Sequence, residues 1–124
     1  MIGYVTLGTS NFEAATEFYD KLLENVGIKR FWTHGTMAAW GRSREEPALV
    51  VTLPNNGETA TVGNGVMVAL KLESREDVVK LHAAGLDLGG ANEGEPGPRG
   101  EHGFYGAYIR DLDGNKLCAY VPAG

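Results

Sequence analysis

The most constraining stretch of the sequence is a predicted β-hairpin at residues 108–121. Its two β-prone runs flank the turn sequence 111–115, Asp-Leu-Asp-Gly-Asn. Asp, Asn and Gly supply the left-handed backbone positions that a tight hairpin requires. The second run alternates between an apolar and a mixed set, namely Leu117, Ala119 and Val121 against Lys116, Cys118 and Tyr120. The apolar set predicts a core face, and the mixed set, with the single cysteine, is a candidate functional surface.

The predicted elements before the hairpin occur in an order that repeats. The first half has a strand, a helix and three strands, at residues 2–8, 12–26, 28–33, 36–40 and 48–53. The second half begins again with a strand at 66–72 and a helix that ends near Gly85. The segment Thr9-Ser10-Asn11 offers N-cap candidates for the first helix, and Ser10 with Glu13 fits a capping box. Ser74 with Asp77 fits a second capping box.

The repeat predicts an α+β fold of two βαβββ modules. The modules are residues 1–54 and 65–124, and the turn-rich linker is 55–64. A length of 124 residues fits one domain. The Gly/Pro-rich segment 89–103 is too irregular to be assigned as a strand.

The sequence resembles the vicinal oxygen chelate superfamily, which includes glyoxalase I, bleomycin-resistance proteins and extradiol dioxygenases. Four motifs carry the resemblance: Tyr4-Val5-Thr6-Leu7-Gly8, Glu17-Phe18-Tyr19, Gly65-Val66-Met67-Val68-Ala69-Leu70 and the 111–115 turn. The resemblance implies two βαβββ modules whose strands form a curled mixed sheet around a cleft. It also implies a homodimer.

In metal-dependent relatives, four strands present His or Glu to a divalent ion. By position, the resemblance places these ligands on Tyr4, Val50, Met67 and Cys118. A phenol, an alkyl group, a thioether and a thiol are poor donors for zinc, nickel or iron. We therefore expect no metal and no other cofactor. A soft-donor copper site and a Cys118 nucleophile remain as alternatives.

The predicted cleft lining is aromatic, thioether and hydroxyl in character. Its members are Tyr4, Thr6, Trp40, Met67, Ala69, Cys118 and Tyr120, with Phe104 near the mouth and His102 on the Gly-rich segment. Such walls suit a flat or partly apolar small molecule. Glu93, Glu95 and Glu101 could alternatively rim a pocket for a cationic ligand.

Composition and charge limit the kinds of partner that this protein is expected to bind. The net charge of −5, without a basic cluster, argues against nucleic acid and anionic membranes. The sequence contains neither a membrane-spanning apolar run nor a signal-peptide pattern, and one cysteine suits a reducing cytoplasm.

Three functions remain open. The first is metal-free sequestration of a small molecule, as in drug-resistance members of the superfamily. The second is a glyoxalase-like lyase or related enzyme with a non-standard metal site or a Cys118-based site. The third is a structural protein in which the dimer surface matters more than the pocket. The missing ligands favour the first.

Overall fold

A computed structural model describes residues 1–123 of the chain. The elements, in chain order, are β1 Tyr4–Gly8, α1 Phe12–Glu24, β2 Lys29–His34, β3 Met37–Gly41, β4 Ala48–Thr52, β5 Val68–Lys71, α2 Arg75–Asp87, β6 Ala91–Pro98, β7 Tyr105–Arg110 and β8 Lys116–Val121. The α+β prediction and the two βαβββ units are confirmed.

The strands form two separate four-stranded sheets with the same topology. Their orders are β1-β4-β3-β2 and β5-β8-β7-β6. In each sheet the first strand pairs in parallel with the last, and the other pairs are antiparallel. Strands β1 and β5 therefore each have a free edge.

Helix α1 buries an apolar stripe formed by Ala15, Phe18, Tyr19, Leu22 and Leu23. Of the three predicted N-cap candidates, Asn11 caps the helix, because its side chain accepts the hydrogen bond from the Ala14 amide at 3.1 Å. The predicted Ser10–Glu13 capping box is wrong. Ser10 instead accepts a hydrogen bond from the Ala60 amide at 2.8 Å.

Helix α2 begins as predicted, since the Ser74 hydroxyl accepts from the Asp77 amide at 3.1 Å. It continues past Gly85 to Asp87. Gly85 lies inside the helix, where it packs closely against Ile109; a Cβ there would lie 2.6 Å from Cδ1 of Ile109.

The segment that the sequence left unassigned contains strand β6. This strand has eight residues, and five of them pair with β7 through two register shifts, so it lacks the regular alternation that a sequence pattern could reveal. Strand β5 is shorter than expected and begins at Val68, which leaves Met67 just before it.

The two modules share one hydrophobic core, which contains Leu22 and Leu49 of the first half and Leu81 and Leu117 of the second. A polar network also joins the modules at the 111–115 turn. The Tyr19 hydroxyl donates to Asp111 at 2.6 Å, and the Asn115 side-chain amide donates to the Gly8 carbonyl at 3.0 Å.

The turn itself forms as predicted. The Asp111 amide donates to the Asn115 carbonyl at 2.9 Å, and Gly114 adopts a φ of 91°. Within residues 1–123, no helix has the length and apolar character to cross a membrane.

Candidate functional site

Each sheet has one face packed on the helices and one face turned away from them, here called the open face. The shared core contains Leu7, Leu49 and Val51 of the first sheet and Leu117 and Ala119 of the second. Side chains alternate along a strand, so the intervening residues belong to the open faces. They include Tyr4, Thr6 and Val50 in the first sheet and Ala69, Cys118 and Tyr120 in the second.

The positions at which the resemblance places the family's metal ligands offer no suitable donor set. Tyr4 and Val50 lie on the open face of the first sheet, Cys118 lies on that of the second, and Met67 directly precedes β5. Across residues 1–123, no three His, Cys, Asp or Glu side chains come together as a potential metal site. The residues present therefore do not fit the divalent ion of the metal-dependent relatives.

Cys118 is part of a packed wall. Its side chain is 1% exposed. Burial raises the pKa of the Cys118 thiol, and the smaller opposing effects of Arg99, Tyr108 and Lys116 do not reverse this shift. A thiol with a raised pKa carries little thiolate at neutral pH and is a weak nucleophile.

Phe104 and Tyr120 form an aromatic pair at the end of the second sheet. Their ring centroids lie 5.3 Å apart in an edge-to-face arrangement. Gly106 makes this possible, because a Cβ there would lie 2.7 Å from the Phe104 ring. Phe104 thus packs on the second sheet beside Tyr120.

Tyr108 occupies the centre of the second open face, directly opposite Cys118 in the strand register. The Arg99 guanidinium lies 5.1 Å from its ring centroid, and the Lys116 ammonium lies 5.5 Å from it. The second open face is therefore both aromatic and cationic.

Trp40 is not on the open face, so the face predicted for it is wrong. It is 1% exposed, its indole Nε1 donates to Asp20 at 2.9 Å, and its ring lies 5.6 Å from that of Tyr19. The β3 register pairs Trp40 with Leu49, which is a core residue, and this pairing sets the indole toward α1.

Trp40 nevertheless lines a cleft between the free edges of β1 and β5. The cleft has a volume of about 630 Å³. Its walls include Val5, Trp40, Leu49, Met67, Ala69 and Leu70. The cleft thus brings together three residues of the predicted lining. The other six are not among its walls, namely Tyr4, Thr6, His102, Phe104, Cys118 and Tyr120.

His102 lies in the turn between β6 and β7 and is exposed. The turn is closed by a hydrogen bond from the Arg99 amide to the Phe104 carbonyl at 2.8 Å. No side-chain hydrogen bond fixes His102 within the described chain, and a solvated position agrees with its place at the tip of a turn.

Sequence reasoning missed Arg99 and Tyr108. Tyr108 could have been found, because it alternates with Ala107 and Ile109 in the terminal hairpin and so shares a face with Cys118. Arg99 gave no such signal, because its segment has no periodic pattern.

The fold and these faces define a class of protein built from two βαβββ modules. The chain belongs to the Glyoxalase/Bleomycin resistance protein/Dioxygenase superfamily, whose family model matches residues 1–119. The predicted family resemblance is thereby confirmed.

One solved structure supports this assignment, and two more distant ones share the fold. A glyoxalase/bleomycin resistance protein from Albidiferax ferrireducens T118 is 37% identical, with a TM-score of 0.89 and 98% of each chain covered. A glyoxalase-related enzyme from Fulvimarina pelagi is 19% identical, with a TM-score of 0.75, 98% of this chain and 87% of the other covered. A family enzyme from Burkholderia phytofirmans PsJN is 15% identical, with a TM-score of 0.73 and 97% of each chain covered. No match was found among curated protein sequences.

Proposed function

We propose that this protein binds a small molecule against its open faces and inter-module cleft without a divalent metal, and that it acts by sequestration. The observation that carries the proposal is the chemistry of Tyr4, Val50, Met67 and Cys118. These residues replace a set of ionic or imidazole donors by apolar or weakly coordinating groups. Such groups form the wall of an organic binding site.

A binding role fits the state of Cys118 better than a thiol enzyme does. The alternative function, a lyase or related enzyme with a non-standard metal or Cys118-based site, needs a thiolate at neutral pH. Burial works against that charge state by raising the thiol pKa. In the proposed function, Cys118 packs beneath the ligand.

The ligand is proposed to be aromatic. Phe104, Tyr108 and Tyr120 supply ring surfaces on one face, and aromatic ligands gain both buried area and favourable ring geometry there. A cationic ligand is less suited, because the loop carboxylate Glu93 already accepts from Arg110 at 2.5 Å.

A cytoplasmic homodimer completes the proposal. The free edges of β1 and β5 border the cleft, and a second copy would cover strand edges that otherwise expose unpaired backbone groups. Light scattering at micromolar concentration should give twice the chain mass. A monomer mass would refute the assembly.

A fluorescence and calorimetric screen of aromatic, quinone and glycopeptide compounds tests the binding role. Trp40 lines the cleft and should report binding by a change in emission. Met67→Ala should weaken the affinity by about 1 kcal/mol or more, the scale for a residue that contributes strongly to an interface. The matched control is Val79→Ala, because Val79 is 45% exposed and Met67 is 42% exposed.

Cys118→Ser separates binding from thiol catalysis. A packed thiol predicts nearly unchanged affinity and no turnover by the wild type. If the wild type turns over a compound from the screen and Cys118→Ser abolishes this activity without loss of affinity, the enzyme alternative is correct.

A further inference from the structure

The second open face carries positive charge in a protein that is acidic overall. The chain has a net charge of −5. Arg99 and Lys116, however, both lie against the Tyr108 ring, and Arg110 pairs with Glu93. A local excess of cations on an aromatic face favours an anionic partner.

Arg99 is held in place by neutral groups. Its Nη1 donates to the Gly97 carbonyl at 3.2 Å and its Nη2 to the Glu95 carbonyl at 2.5 Å. The backbone around it is closely packed, since a Cβ on Gly103 would overlap the Arg99 carbonyl oxygen at 1.4 Å. These contacts orient the guanidinium over Tyr108 without neutralising it, because backbone carbonyls carry no net charge.

Arg99 and Lys116 both lack a carboxylate partner within salt-bridge distance among residues 1–123. Arg110 differs, since Glu93 binds it. Lysines in the groove between the helices also differ: Lys21 pairs with Glu17 at 2.9 Å, and Lys80 pairs with Glu76 at 3.7 Å. Arg99 and Lys116 thus bring two charges without a salt bridge against one aromatic ring, that of Tyr108.

Both cations act on the same buried thiol. The charges of Arg99 and Lys116 each lower the Cys118 pKa against the larger effect of burial. The pKa of Glu93 is lowered by its hydrogen bond to Arg110 and, less strongly, by the charge of Lys116. An anion at this point would meet two positive charges above a partly desolvated wall, where charge-assisted hydrogen bonds are stronger than in bulk water.

We propose that Arg99 and Lys116 form a subsite for the anionic group of an aromatic ligand, beside Tyr108. The group is a carboxylate, sulfonate or phosphate. This inference rests on the proposed binding function and specifies the ligand class that the site accepts. Arg is suited to such planar or tetrahedral anions because its N–H donors form a fork, and Lys adds a compact charge.

Two dyes with the same aromatic scaffold test the subsite. 8-Anilino-1-naphthalenesulfonate carries a sulfonate, and N-phenyl-1-naphthylamine is its neutral counterpart. Fluorescence titration gives both affinities for wild type, Arg99→Gln and Lys116→Met, and Lys80→Met serves as the matched control. Amide chemical shifts locate the sulfonate dye, and thermal melts of each variant verify folding.

Arg99→Gln and Lys116→Met should each weaken the affinity for the sulfonate dye by about tenfold, the scale of one lost charge-assisted hydrogen bond. The neutral dye and the Lys80→Met control should show unchanged affinity. The largest changes in amide chemical shift on binding of the sulfonate dye should occur at Tyr108 and Cys118. Higher salt should weaken the affinity for the sulfonate dye and not for the neutral dye, since Arg99 and Lys116 are partly exposed.

Other outcomes overturn the inference in distinguishable ways. If both dyes bind equally well and neither affinity changes in Arg99→Gln or Lys116→Met, the anion subsite is refuted but the binding function is not. The subsite is also refuted if the sulfonate dye changes amide chemical shifts mainly in the helix groove at Lys21 and Lys80. If neither dye binds the folded wild type, the subsite and the proposed binding face both fail.

Discussion

The hydrogen bond between Tyr19 and Asp111 should contribute measurably to stability, because it joins the two modules inside the core. The Tyr19 hydroxyl donates to Asp111 at 2.6 Å, and the two residues are 1% and 6% exposed. Tyr19→Phe removes the donor and leaves the ring packing in place. A hydrogen bond to a charged group contributes about 1.5–3 kcal/mol.

For Tyr19→Phe we expect a loss of stability in the lower part of that range. After the substitution, Asp111 still accepts from the amides of Asp113 and Asn115 and from the Asn115 side chain, each at 2.9–3.0 Å. The carboxylate is therefore not left unpaired. We expect Tyr19→Phe to lower the free energy of unfolding by about 1.5–2 kcal/mol at pH 7.5.

The pH dependence gives the same contact a second signature. Burial, followed by the charge of Asp111 and the hydrogen bond to it, raises the pKa of Tyr19 well above its ordinary value of 10.0. The unfolded chain therefore loses this proton first, and the stabilisation present below pH ~10 is lost progressively as the pH rises above that value. Tyr19→Phe should show a smaller alkaline loss of stability than the wild type.

Urea titration with tryptophan fluorescence measures both effects, because the Trp40 ring lies 5.6 Å from that of Tyr19. Tyr4→Phe is the control, since Tyr4 is 66% exposed and lies outside the core. If Tyr19→Phe costs no more than Tyr4→Phe and keeps the full alkaline loss, the inter-module hydrogen bond does not stabilise the fold.

Two further predictions concern packing and thiol reactivity. Gly90→Ala should destabilise the protein by about 1–3 kcal/mol, because its Cβ would lie 2.6 Å from the Arg110 carbonyl oxygen and 2.8 Å from that of Gly85. Gly3→Ala is the control, since nothing lies within 4 Å of its Cβ position, and an equal stability loss in both variants would contradict the packing argument. Cys118 should react with a disulfide reagent at pH 7.5 far more slowly in the folded protein than in urea, because burial both shields the thiol and raises its pKa. Equal rates in the two states would show that the thiol is accessible and activated.

The sequence predicted the parts of the fold whose signals are local. The 111–115 turn is set by Asp, Gly and Asn, and Ser74 caps α2 through a residue three positions away. The face of β3 was not predictable in this way. Residues 38 and 39 are both alanine, so their hydrophobicity does not distinguish the buried face of the strand from the open face. Trp40 turns inward because Asp20, twenty residues earlier, accepts its indole N–H.

The candidate site follows the same division. Tyr4, Ala69, Cys118 and Tyr120 could be placed because regular alternation fixes their faces. Arg99 could not, because its position depends on the irregular pairing of β6 with β7 and on contacts with backbone carbonyls. Irregular glycine-rich strands carry no sequence period that would show which side chains approach a site.

Metal content tests the central claim most directly. Purified protein is supplied in turn with Zn²⁺, Ni²⁺, Mn²⁺ and Fe²⁺, dialysed, and measured by elemental analysis beside Cys118→Ala. The donor chemistry of Tyr4, Val50, Met67 and Cys118 predicts far less than one metal ion per chain, with no difference between the two proteins. Close to one ion per chain in the wild type, lost in Cys118→Ala, would contradict the account.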